Sequence, residues 1–361
     1  MKAMRLVIVA SCLSGIIFAQ SQAPTQQEAV RPFPDPDFQL HDDNVKQGKS
    51  GVVLGPLESD GKGGTKGTFA IYGDSSLIQV SSLSFSADGK LLAVGSTPNR
   101  VDIWNAESRT KLRSFTTGTT VGLTFDGHLL ATDGNGIEIW DVSSGKVQRT
   151  IPRASKRPGD VIDNFVFNPT GTLLNVTVNG DDDTVYEVST GKLVATLTGT
   201  QHAQFSNDGA LLVGGDYKHL IVWSTKDWSK VRDLPNGPDY VTTIAANPEK
   251  DLVVVGGPKM ARLLKLSSGE EVAKVGLGYT NFAAFSQNGS LIFMYPSSGF
   301  GIWDTTGKQY CVKAHLGNGI VALSANDRWL AAASVGGKSV MVWNVQSALS
   351  ACGVSSSHPV Q

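Results

Sequence analysis

A short pattern recurs seven times along the 361 residues of this chain, and that recurrence limits its fold more than any other feature. It reads "VDIWNAESRTKL" from Val101, "IEIWDVSSGKV" from Ile137, "TVYEVSTGKL" from Thr184 and "LIVWSTKDWSKV" from Leu220. Three further copies are "ARLLKLSSGEEV" from Ala261, "FGIWDTTGKQY" from Phe300 and "VMVWNVQSAL" from Val340. One position anchors each copy: Trp104, Trp140, Tyr186, Trp223, Leu264, Trp303 and Trp343. The differences between successive anchors are 36, 46, 37, 41, 39 and 40 residues. A period of about forty is that of four-stranded blades arranged radially, so the expected fold is an all-β, seven-bladed propeller of antiparallel blades.

A second element precedes each anchor. Examples are "LSFSADGKLLAVGS" from Leu83, "FVFNPTGTLLNVT" from Phe165 and "AAFSQNGSLIFMY" from Ala283. Each is an apolar strand, a turn carrying Asp, Asn or Gly, and a second apolar strand; Gly and Asn tolerate the positive φ of tight hairpins. Every unit therefore reads as strand a, turn, strand b, loop, strand c with the anchor, turn, strand d. Composition agrees. Charged residues are 17%, below the roughly 25% of average soluble proteins, and the 40 glycines suit a turn-rich β protein. A formal net charge of −1 argues against a nucleic-acid partner, which leaves a basic footprint.

On these residues the repeat resembles that of the WD-repeat (WD-40) family and the related YVTN-type propellers, from about Gly67 to Val345. The match is worn. No copy opens with the family's Gly-His pair, and the position six before the Trp holds Pro98, Gly134 and Tyr217 in blades one, two and four. Only Trp140 and Trp303 are followed by Asp. What carries over is the packing role of the anchors, as wedges between sheets, rather than the family's side-chain hydrogen-bond network. The resemblance also implies that an N-terminal strand closes the last blade, because "QSALSACG" after blade seven is a poor strand. "GTFAIYG" from Gly67 is the expected closing strand.

The first nineteen residues read as an export signal, with Lys2 and Arg5 before an apolar run and Ala19 at the cleavage point. A lipoprotein anchor at Cys12 is the lesser alternative. Export leaves Cys311 and Cys352, which an oxidising compartment favours as a disulfide; the loop it closes is worth about 4 kcal/mol in the chain-entropy model. Resemblance-based closure would set these two cysteines on neighbouring blades. Residues 20–66 read as a Gln/Pro/Gly-rich linker, 67–348 as the propeller and 349–361 as a tail.

Catalytic patterns fail one by one. "GDSSL" from Gly73 carries an extra Ser relative to the serine-hydrolase signature, and "GKS" at Gly48 and Gly337 lacks the Gly that phosphate loops need. The histidines, at 41, 128, 202, 219, 315 and 358, have no zinc-like spacing. "NGDDD" from Asn179 reads as a solvated turn rather than a calcium loop. Neither a metal nor a cofactor is expected. Trp228 and Trp329 fall in or beside turns on the wider face, where an exposed pair would be a contact patch and half-buried turn packing is the alternative.

The remaining candidates lie on the d–a and b–c loops of the narrower face. They are Arg153, Lys156 and Arg157 in the long loop from Pro152, with Tyr217, Lys218, His219, Tyr240 and His315, beside Asp181, Asp182 and Asp239. The expectation is an exported, monomeric, non-catalytic scaffold binding a protein, peptide or surface polymer. The alternatives are a structural cell-envelope protein and a propeller enzyme of lactonase-type or redox class, which would require Asp181, His219 and His315 to converge at the channel mouth.

Overall fold

A computed structural model describes residues 30–41, 53–56, 58–59, 65–66, 79–153, 160–216, 219–234, 240–313, 319–334 and 337–354. Its described sheets are seven blades, five of them four-stranded and two extended to five strands, and a separate two-stranded pair formed by Glu58–Ser59 and Thr65–Lys66. Blade one runs through Gln79–Phe85, Leu91–Thr97, Arg100–Asn105 and Thr110–Thr116 as strands a to d. The others follow at 121–151, 162–197, 201–234, 243–277, 280–313 and 321–344. The chain is a seven-bladed β-propeller, as its repeat requires.

Burial explains the sequence pattern. Strands b and c are enclosed on both faces, so they read as nearly continuous apolar runs such as "LLAVGS" and "LIVWS". Strand d lies outermost and alternates, as in Thr110–Thr116. The buried apolar residues fall into seven clusters, one between each pair of neighbouring blades. Each anchor belongs to a different cluster and packs towards the preceding blade. Trp104 joins the cluster of blades seven and one, Trp140 that of one and two, and Tyr186 that of two and three. Trp223, Leu264, Trp303 and Trp343 continue the series round the ring. The anchors are wedges, which is why a large ring recurs at one strand position.

Two anchors keep part of a side-chain network. The indole of Trp140 donates to Thr132 Oγ1 at 3.0 Å; Thr132 is 2.9 Å from Thr117 Oγ1, which donates to Glu138 at 2.7 Å. In blade four the Trp223 indole donates to Thr200 Oγ1 at 2.9 Å. Threonine hydroxyls thus satisfy the buried N–H without the family's Asp or His.

The ring is closed from the N-terminal side, although not at Gly67. Residues 67–73 lie outside the described residues. Phe38–His41 pairs antiparallel with Val340–Asn344 as the outer strand of blade seven, and Val53–Pro56 pairs with it in turn. Arg31–Pro32 adds in parallel to Gln309–Lys313 of blade six. The closing strand therefore comes from the segment expected as linker, because Phe38 and Leu40 supply the inward apolar side chains that a fourth strand needs. After blade seven the chain forms a helix, Val345–Ala351, capped by the Asn344 side chain accepting from Ser347 N. Cys352, just past it, is joined to Cys311 of blade six with Cα atoms 5.4 Å apart, and both are buried. Strand addition, the Trp343 indole donating to the Pro34 carbonyl at 3.1 Å, and the disulfide all converge on this seam.

Candidate functional site

The seven a strands wall the central channel, and its two ends are built differently. At the end where strand a begins, the face expected from the sequence to be the narrower, the register of strand a against strand b slips in blades one, three, four and six. The slips fall at Ser81, Asp163, His202 and Asn281. A bulge of this kind re-aims a side chain that regular pleating would place elsewhere. His202 adopts φ +55°, a left-handed conformation uncommon outside glycine. Asp163, His202, Tyr279 and Asn281 line a single concavity of about 640 Å³. Tyr240 stands beside it, its ring edge-to-face with Tyr279 at 6.2 Å between centroids.

Partial desolvation in the channel shifts two titrating groups in opposite directions. It pushes the Asp163 carboxyl up and the His202 imidazole down. Tyr279 is raised by burial, by the charge of Tyr240 and its hydrogen bond, and by Asp163. Among the described residues lining this half of the channel there is no lysine or arginine.

At the wider end the a–b turns repeat one hydrogen-bonded design. Ser86 Oγ donates to Asp88 Oδ1 at 2.8 Å while accepting from Leu91 N; Thr124 and Asp126, and Ser206 and Asp208, do the same. Ser286 with Asn288 and Ser324 with Asn326 complete five copies. Gly89, Gly127, Gly171, Gly209 and Gly289 supply the positive φ; in blade seven Asp327 takes that conformation at +53°. Phe125, Phe205, Phe285, Pro169 and Pro248 share the lining of a mouth of about 380 Å³ with polar residues such as Gln204, Asn207 and Gln287.

The residues nominated from sequence are dispersed. Arg153 is not free to meet a partner: its guanidinium donates to the Asp133 and Gly134 carbonyls at 2.9 and 3.3 Å and to Asp160 O at 3.3 Å. It holds the b–c turn of blade two, whose carbonyls need donors. His219 turns to the outer strand of blade four, with Nδ1 2.8 Å from Asp233, and so away from the channel. Asp181 is buried in its turn, and Asp182 accepts from Gly199 N at 2.9 Å. Lys156, Arg157, Tyr217, Lys218, Asp239 and His315 lie outside the described residues. Among the described members of the nominated set, only Tyr240 stands beside the concavity. Trp228 and Trp329 form no exposed pair: Trp329 is buried against Phe38, and Trp228 packs partly buried on the cluster of blades three and four.

Asp163, His202, Tyr279 and Asn281 escaped the sequence reading. Their one trace is a polar residue in "IDNFVF", "QHAQF" and "TNFAAF" just before the apolar run of strand a. No group of three or more His, Cys, Asp or Glu among the described residues is arranged to hold a metal ion, and no described helix is long and apolar enough to cross a membrane.

Comparison with known proteins agrees with the architecture. The family model for the WD domain, G-beta repeat, matches residues 68–105. Pre-mRNA-processing factor 19 of Oryza sativa subsp. japonica is 32% identical over 152 residues, 40% of this chain and 28% of that protein. The similarity thus spans less than a third of that relative's length. The seven blades and their anchors make the chain a β-propeller, and these matches support a likeness of its repeats to the WD type. Propellers of this class generally bind proteins and typically serve as non-catalytic scaffolds.

Proposed function

We propose that the protein is an exported, monomeric and non-catalytic scaffold that docks a protein or peptide at the narrower mouth of its channel. The observation that carries this reading is the convergence of four bulged or edge-positioned side chains, Asp163, His202, Tyr279 and Asn281, in one concavity on a rigid ring. Polar groups and an aromatic ring presented together on a fixed scaffold are what a contact site requires. The export half of the reading is supported by the N-terminal signal-like segment and by the cystine at the seam. Against the enzyme alternative stands the position of His219, which faces the rim rather than Asp181.

Site-specific photo-crosslinking tests the docking end. A photoreactive phenylalanine analogue replaces Tyr279 in one form of the full chain and Phe125, at the wider mouth, in another. The Tyr279 form is expected to capture a discrete partner from extracellular or envelope extract. Capture from Phe125 with none from Tyr279 would reverse the assignment.

A further inference from the structure

We propose that the narrower mouth receives the cationic side chain of a lysine or arginine presented by a protein segment, with Asp163 as its counter-charge and Tyr240 and Tyr279 as its aromatic wall. This rests on the docking reading above and gives it a chemistry.

Asp163 differs from the buried carboxylates of the chain: it is exposed within the concavity and open to a guest. Asp102 has Arg100 at 3.0 Å and Lys111 at 3.9 Å and accepts from Ser114. Asp183 accepts from Asn175 and from Ala203 N. Asp327 accepts from Gln287 N. Asp163 makes no hydrogen bond or ion pair among the described residues, and no described lysine or arginine lines its half of the channel. An unpartnered carboxylate lining a concave mouth focuses its field on the space in front of it and draws a cation there. The bulge at Asp163 holds it in that position.

The neighbouring groups suit the same guest. The edge-to-face tyrosine pair stands beside the carboxylate, close enough for Asp163 to act on the Tyr279 phenol. The faces of tyrosine rings attract ammonium and guanidinium groups, most strongly where water is thinned. His202 is held neutral by its burial, so the mouth does not supply a competing cation of its own. A neutral guest would leave the carboxylate unmatched, and an acidic one would be repelled by it.

The test is a calorimetric titration of the full chain with four capped alanine-flanked pentapeptides. Their central residues are lysine, arginine, N-acetyl-lysine and citrulline; guanidinium and methylammonium ions alone form a further arm. The charged peptides are expected to bind about tenfold or more tighter than their neutral counterparts, and tighter than the free ions. Asp163→Asn is expected to remove that preference while leaving the melting temperature near wild type. Asp233→Asn, which changes net charge equally at the rim, is expected to leave the preference intact. Equal binding of all four peptides, binding of none, or a preference that survives Asp163→Asn would overturn the proposal. Free ions binding as tightly as the peptides would overturn the protein-segment assignment. Tighter binding after Lys156→Gln and Arg157→Gln together would show that the chain's own loop fills the mouth, and would overturn it too. A partner captured at Tyr279 that presents only neutral or acidic residues would sink the cation while leaving the docking end in place.

Discussion

The two ends of the channel are made from the same seven strands, yet they obey different rules. At the wider end five of the seven a–b turns repeat a hydroxyl bonded to a carboxylate or amide two residues on, four of them with a glycine at the positive φ, and the hydroxyl also accepts a backbone N–H of its own turn. Carboxyls in the exposed turns there sit low, the buried Asp327 of blade seven excepted: the Thr124 hydroxyl and then His128 N hold Asp126 down, as the Ser206 hydroxyl and then Ala210 N do Asp208. At the narrower end the a strands depart from one another through bulges, and desolvation pushes Asp163 and Asp183 up. Where the copies agree, the polar groups hold the fold together; where they diverge, one of them is left for a guest.

The largest effect expected from breaking this contrast lies at the wider end. Trp329 begins strand b of blade seven, buried, with its ring edge-to-face on Phe38 of the closing strand at 5.6 Å. Trp329→Ala should destabilise by about 3–5 kcal/mol, a fall in Tm of roughly 5–15 °C. The folded fraction should still engage ligands at the narrower mouth. A Trp329→Ala protein that melts normally would show that closure does not depend on this contact.

A smaller and pH-dependent effect comes from one buried carboxyl near each end. Asp183, behind the narrower mouth, and Asp327, in the wider-end turn of blade seven, are both pushed by burial from 3.8 to about 7. A raised carboxyl binds its proton more tightly folded than unfolded, so between these values the folded state holds more protons. Stability should therefore rise as pH falls from about 7 towards 4, by on the order of a few kcal/mol from the pair. Below about 4 the lowered turn carboxyls, Asp126 and Asp208 among them, reverse the trend. Melting curves from pH 8 to pH 4 check the sign. The double variant Asp183→Asn, Asp327→Asn should flatten the profile and raise Tm most at pH 8. An unchanged slope would mean that neither carboxyl is held as described.

How much of this could be read in advance follows from the same contrast. The blades were legible because each must bury the same faces, so the repeat wrote the anchors and turns seven times. Trp104 to Trp343 could be aligned by eye. The closing strand at Phe38–His41 was hidden because it occurs once, in a Pro-rich stretch whose two inward residues, Phe38 and Leu40, are too few to show a period. The concavity was hidden for a deeper reason. A bulge is a register event between two strands, and no single residue in "IDNFVF" announces that Asp163 will be displaced. Loop length drew attention to Arg153 instead.

Arg153 supplies the smallest of these tests and the sharpest about loops. A long basic loop suggests a contact surface, but the Arg153 guanidinium is spent on the carbonyls of Asp133, Gly134 and Asp160. Arg153→Ala should lower stability by about 1–2 kcal/mol through donors lost to those carbonyls, and leave peptide binding at Tyr279 unchanged. His219→Ala, whose ion pair with Asp233 is nearly half exposed on both sides, should change neither Tm nor binding measurably. If Arg153→Ala instead abolished binding without lowering Tm, its bonds to the turn would be incidental and the loop, not the bulged strands, would be the contact surface. The structure favours the opposite outcome because each nitrogen of that guanidinium that has a partner faces a backbone oxygen of the ring itself, and the unpartnered Nε is buried away from a guest.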